Sequence, residues 1–280
     1  SKCFAYIVYW DLSPSKEPRM LEPQEIPGCT PEGDHFRGPI GLKYGDVSTV
    51  RHLIVTESPH RGRRTLSARI APSGNWDDEF NFRRKQGHEL SLRLAGSSLA
   101  KETARLGYRT MVCPALEYPL TVTQFTQERC DKISSPILRS SLSQMGYNRN
   151  SPKEVVYGPE EMGGLGLHDL FIEQGIAQVT ALVGHLREKK SQTGDMMKIE
   201  LDWCQLQAGT ADHLLENPFT AIDYIESCWI MSIRDFLRMY KVRMEFTEHS
   251  HPVALCDGDE FIMDALRVRG QCSARDMQRL

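Results

Sequence analysis

Two hydrophobic patterns divide the chain near residue 76. Beyond it, apolar residues recur at three- and four-residue steps, the spacing of a helix face. Trp76 to Leu94 sets Phe80, Phe82, Leu90 and Leu94 among charges, and Gly96 to Met111 carries Leu99, Ala104 and Leu106, so both predict helices. Thr126 is placed as an N-cap for a helix through Cys130, Ile133, Ile137 and Leu138 to Met145, which Pro136 should kink or split. Asp169 to Leu186 aligns Leu170, Phe171, Ile176, Val179, Leu182 and Leu186 on one broad face, and Met196 to Leu206 predicts a further helix. Ile222 to Tyr240 repeats the pattern with Ile225, Cys228, Trp229, Ile233, Phe236, Leu237 and Tyr240, which makes Trp229 a core aromatic.

Before residue 76 the apolar residues come in short clusters. Cys3 to Trp10 is β-branched and aromatic, as a buried strand would be, and Arg51 to Val55 and Thr65 to Ala71 are two more short strand candidates flanking the basic turn Arg61-Gly-Arg-Arg64. Between Leu12 and Tyr44, six prolines and four glycines leave room for turns and at most one short strand. The expected class is mainly α, with a small antiparallel β-rich N-terminal piece.

One segment fits neither pattern. From Tyr147 to Leu170 the chain reads YNRNSPKEVVYGPEEMGGLGLHDL, where Asn148, Asn150, Pro152, Gly158 and Pro159 should stop any helix from crossing from Met145 to Gly166, leaving a loop-rich bridge between two helices, and Val155 to Tyr157 suits a short extended stretch. Gly158 and Gly163 have the spacing that opens a phosphate loop, but Gly164 and Leu165 stand where its lysine and hydroxyl residue belong. The dinucleotide pattern fails as well, because Asp169 occupies the third glycine position after Gly164 and Gly166. These glycines are therefore expected to serve turns and close packing.

The chain has 280 residues, 40% hydrophobic and 25% charged, which is enough for one large or two modest domains with a real core. Its formal charge of −3 hides an asymmetry: Arg51 to Arg109 holds twelve Lys/Arg against six Asp/Glu, whereas Asp195 to Asp264 holds five against fourteen. The first stretch suits a polyanion and the second repels one. The eight cysteines include no CxxC pair, so zinc ribbons are not expected and a reducing compartment fits best. His249-Ser-His251 with Cys256 reads as a solvated connector, and no metal is assigned. No run of eighteen apolar residues and no charged segment ahead of an apolar block occur, so the expectation is an intracellular protein with neither a membrane span nor a secretory signal. Opening on Ser1, the chain is expected to be a fragment or processed piece.

With Ala115-Leu-Glu-Tyr-Pro-Leu120 ahead of it and Glu173-Gln-Gly175 behind it, the Tyr147–Leu170 segment resembles the region that follows the catalytic palm in reverse transcriptases of non-long-terminal-repeat retroelements. The resemblance runs with gaps from Lys2 to about Ala265. It includes Thr65-Leu-Ser-Ala-Arg-Ile-Ala-Pro-Ser-Gly-Asn-Trp76, which is similar to the family's primer-grip strand, although the family usually shows Leu-Gly where this chain has Leu66-Ser67. The implied organisation is an end-of-palm and primer-grip-like segment over 1–75, a helical thumb-like domain over 76–247 and an incomplete connector over 248–280.

The same resemblance implies RNA-directed DNA polymerase, a nucleotidyltransferase, as the parent activity, with the palm placed upstream of Ser1. The family's Tyr-x-Asp-Asp turn is not in this chain, whose only Asp-Asp, Asp77-Asp78, sits where acids complement a helix start. No catalytic residue is assigned, Mg²⁺ is expected only for the palm, and the chain alone is expected to be inactive. What remains is grip on an RNA or RNA–DNA hybrid backbone, which calls for Lys and Arg on one helix face and a nearby turn. Arg61, Arg63, Arg64, Arg69, Arg83, Arg84, Lys85, Lys101, Arg105 and Arg109 are the candidate contacts, and Leu66 and Ser67 the primer-grip-like pair. The alternatives are a solvated charged face without function, and a protein–protein interaction module from a decayed or domesticated element whose acidic half meets the partner. A hydrolase is disfavoured because no Gly-x-Ser-x-Gly occurs.

Overall fold

Among the described residues, short strands dominate the N-terminal quarter and helices dominate beyond it, in keeping with the change in hydrophobic period. A computed structural model describes residues 4–13, 18–32, 35–43, 51–188, 190–247 and 260–269. The chain divides into two compact units, Ser1–Lys85 and Gln86–Leu280, and the division falls within a helix. The class is mainly α with a small β-rich N-terminal piece. His249, His251 and Cys256 lie outside the described residues.

The first unit holds strands β1 (Phe4–Tyr6), β2 (Trp10–Asp11), β3 (Arg19–Met20), β4 (Thr30–Glu32), β5 (His35–Lys43), β6 (Arg51–Glu57), β7 (Arg63–Thr65) and β8 (Ala68–Ile70), and the start of helix α1 (Asp77–Ala95). One sheet has the order β1-β6-β5-β4, antiparallel except for the β1–β6 pair, while β2–β3 and β7–β8 form separate antiparallel ribbons. The expected buried strand over Cys3–Trp10 is not formed. Its apolar residues split between the sheet edge β1 and the ribbon strand β2, and Val8, Tyr9 and Trp10 are exposed. The Pro/Gly-rich region was richer in strand than expected: β5 accommodates Gly38, Pro39 and Gly41 through an irregularity between Arg37 and Gly41, where the ladder shifts register. Thr65 to Ala71 also departs from the expectation of one strand, because it belongs to a hairpin that reverses at Leu66 and Ser67.

The second unit contains the rest of α1, then α2 (Lys101–Gly107), a π-helical turn over Tyr108–Val112, α3 (Cys113–Glu117), α4 (Gln127–Gln144), α5 (Lys153–Tyr157), α6 (Leu170–Arg187), α7 (Gln192–Ala208), α8 (Trp229–Tyr240) and α9 (Ile262–Arg269). Thr126 caps α4 as expected, accepting from the Arg129 amide at 3.3 Å, and Asp169 caps α6 through Oδ1, 2.8 Å from the Phe171 amide. The α4 helix is not split at Pro136, and it forgoes only the backbone bond that proline cannot donate. Val155–Tyr157 is helical rather than extended, its turn started by Pro152.

The core of this unit gathers Leu182 of α6, Leu201 and Cys204 of α7, Leu215 and Ile222 of the following loop, and Ile230, Ile233 and Leu237 of α8. The face of α6 is not the purely apolar stripe expected: Ile176 is exposed, while Gln174 and Gln178 point inward. Gln174 accepts from the Phe125 amide at 3.0 Å and the Thr123 hydroxyl at 3.1 Å and donates to the Phe125 carbonyl at 2.9 Å, and Gln178 donates to the Thr123 carbonyl at 2.6 Å. Two buried amides thus satisfy the backbone of a loop that has no ladder of its own. The α8 helix begins at Trp229, not Ile222, because Ile222 is buried in a turn and the Tyr224 hydroxyl is bonded to the Ala208 carbonyl at 2.6 Å. Trp229 is consequently half-buried at a helix end, with its indole donating to the Thr121 carbonyl at 2.8 Å. The Sγ atoms of Cys204 and Cys228 lie 3.4 Å apart. Among the described residues, no helix is long and apolar enough to cross a membrane.

Candidate nucleic-acid interface

The basic residues picked out in the sequence fall into both units: Arg61, Arg63, Arg64, Arg69, Arg83, Arg84 and Lys85 in the first, Lys101, Arg105 and Arg109 in the second. In the first unit the β7–β8 hairpin is latched to the start of α1. Glu79, fully buried, accepts from Arg83 Nε at 2.5 Å and from the Arg69 amide at 2.8 Å, with the Arg69 guanidinium at 3.6 Å. Arg83 also donates to the Ser67 carbonyl at 2.6 Å, and Asp78 accepts from the Gly62 amide at 2.6 Å. The acids Asp77, Asp78 and Glu79 occupy the first turn of α1, where a helix favours negative charge. Here two of them tie down the hairpin.

This latch sorts the cations. Arg83 is 4% exposed and Arg69 lies over the Phe82 ring, its guanidinium carbon 3.5 Å from the centroid, so both hold the fold together. Arg61 and Arg63 share buried Glu57. Arg64, Arg84 and Lys85 are exposed and have no acidic partner among the described residues. At the hairpin tip Leu66 is 86% exposed, and Leu66 and Ser67 both have positive φ, 47° and 78°. The primer-grip-like pair is therefore a two-residue reversal of the kind glycine favours.

In the second unit Lys101, Arg105 and Arg109 are spaced by four residues along α2 and its π-helical extension. Glu160, in the turn that follows α5, receives both Arg105, at 2.6 Å, and Arg109 on one oxygen. The hydrogen bond from Arg109, and the field of both arginines, hold the Glu160 carboxyl below the usual carboxylate range. Arg105 reaches on to the Leu165 carbonyl at 3.3 Å. The loop closes on itself at Gly158 and Gly164, where the Gly158 carbonyl leaves no room for a Cβ on Gly164. Its glycines serve packing, in line with the sequence.

A third cluster was not legible in the sequence beyond an i, i+4 pair. The donor atoms of Cys113, Glu117 and His168 lie within 4.8 Å of one another, and His168 Nδ1 is 2.7 Å from a Glu117 oxygen. Burial, and then the neighbouring Glu117 charge, push the Cys113 thiol up to about 12, while burial raises the Glu173 carboxyl. The thiol stays protonated at neutral pH, and the imidazole and carboxylate satisfy each other. Three donors so engaged give no reason to assign a metal.

No family model, no curated protein and no solved structure matches this chain.

Proposed function

We propose that the chain is a thumb-like region of a retroelement reverse transcriptase, gripping the backbone of RNA or an RNA–DNA hybrid and carrying no catalytic centre of its own. The observation that supports this best is the exposed set Arg64, Arg84 and Lys85, without acidic partners among the described residues and carried on a hairpin and helix locked together through Glu79. Cations on a rigid frame neutralise phosphates without reading bases. Lys101, with Arg105 and Arg109 when they leave Glu160, supplies a second set in the other unit. In this reading Arg69 and Arg83 position the hairpin, Leu66 is its primer-grip-like tip, and Arg61 and Arg63 contribute through the charge that Glu57 leaves over. Nucleotidyl transfer and Mg²⁺ belong to the palm that the resemblance places upstream, and the free thiols of Cys29, Cys113, Cys130, Cys204 and Cys228 suit a reducing, intracellular compartment.

Fluorescence anisotropy with an RNA–DNA hybrid tests the reading. About three phosphate contacts predict a slope of log K against log salt on the order of −3, with little sequence preference. Replacing Arg64, Arg84 and Lys85 together by Ala should flatten that slope by at least half and leave the melting curve in place. No binding at low salt, or a salt-independent affinity, refutes the proposal.

A further inference from the structure

The α7 helix is apolar on two sides. Its inner side gives Leu201, Cys204 and Ala208 to the core, while Met196, Ile199, Trp203 and Leu206 are 72%, 68%, 61% and 61% exposed. At about 100° per residue the four exposed side chains share a sector about 80° wide and, at about 1.5 Å per residue, run about 15 Å along the helix. Met196, Ile199 and Trp203 also form one wall of an open groove of about 740 Å³, which Val122 and Trp229 help to line. An amphipathic stripe next to a groove is the form that receives a partner helix, and exposed tryptophans are the residues that anchor such contacts.

Charge selects the partner. On the same helical projection Asp195 and Asp202 border the stripe on one side and Glu200 on the other, whereas Lys198 stands further round. Arg187 and Lys190 are exposed and precede the N-terminal end of α7. From Asp195 to Asp264 the chain holds fourteen acidic and five basic residues, so the charge of the region has the sign of the stripe's borders. A phosphate backbone or an anionic lipid surface would meet repulsion on both sides of the apolar strip. We infer that α7 and its groove are a docking site for a basic amphipathic helix of another protein, seated by apolar side chains on Ile199 and Trp203 and flanked by Lys or Arg over Asp195, Asp202 and Glu200.

The test titrates the full chain with an 18-residue helical peptide of Leu and Lys and with its counterpart in which Glu replaces Lys, read by calorimetry and tryptophan fluorescence. The Lys peptide should bind at least ten-fold tighter than the Glu peptide and weaken as salt rises. Ile199→Ser with Trp203→Ala should reduce that affinity at least ten-fold without moving the melting curve, and Met196→Ser supplies a second variant should that pair unfold. Asp195→Lys with Asp202→Lys should shift the preference toward the Glu peptide. Failure of the Lys peptide to bind, equal binding of both peptides, or indifference to the apolar substitutions overturns the inference. So does a concentration-dependent dimer that Ile199→Ser dissolves, because the stripe then belongs to a second copy. Hybrid binding by Arg64, Arg84 and Lys85 is read separately, so either proposal can fail alone.

Discussion

Replacing Glu79 by Gln removes the charge that holds the hairpin to α1. The carboxylate is fully buried and serves the Arg83 side chain at 2.5 Å and the Arg69 amide at 2.8 Å. A glutamine can accept from one of these donors, but its own amide then faces the other. Arg83, at 4% exposure, is left as a buried cation without its carboxylate. Breaking a buried pair from one side typically destabilises by about 3–5 kcal/mol, and the lower end applies here because Arg69 is only partly shielded from water. At about 1.4 kcal/mol per factor of ten, a loss of about 3 kcal/mol raises the open population roughly 100-fold. Hydrogen exchange at the Arg69 amide reads that opening directly, and urea unfolding of the same variant gives its overall stability. Glu79→Gln with Arg83→Met removes both charges of the pair and should lose less than the single variant. A single variant within about 0.5 kcal/mol of the parent, or a double variant worse than the single, would refute the latch.

Three further outcomes follow from named geometry. Ser67→Gly relieves a positive φ that costs an L-residue about 1–2 kcal/mol, at the loss of only a marginal 3.5 Å contact from Arg64, so it should raise stability by about 1 kcal/mol in a urea melt. Gln174→Leu strips partners from the buried Phe125 amide and carbonyl and the Thr123 hydroxyl, and at about 1–3 kcal/mol per orphaned group it should lower the melting temperature far more than a similar change at exposed Ile176. The Glu160 carboxyl, depressed in the folded state by its Arg109 bond, stabilises the fold fully above its ordinary unfolded value and loses that contribution as pH falls through the depressed one. Acid titration and Glu160→Gln should therefore both release Arg105 and Arg109. If those arginines are phosphate contacts, Glu160→Gln steepens the salt dependence of hybrid binding by about one to two units, and an unchanged slope removes them from the interface.

The amino-acid sequence by itself determined the class and the positions of most helices, because helical period and capping are properties of neighbours three and four residues apart. Thr126 and Asp169 could be placed at helix starts for that reason, and the turn-and-packing role of the glycines near Gly164 was legible from the motifs they fail to complete. The density of Lys and Arg between Arg51 and Arg109 was visible as well, but not which of them are spent on structure. Glu160 lies 55 residues from Arg105, and the Arg69 amide reaches Glu79 only because the hairpin folds back on α1. Tertiary structure likewise turned Gln174 inward to serve a loop 49 residues away, divided the Ile222–Tyr240 stripe between a turn and a shorter helix, and left Trp203 outside the core. Local periodicity shows which face of a helix is apolar. Which face is covered, and which charges are neutralised, depends on partners distant in the chain, and only the folded arrangement brings them together.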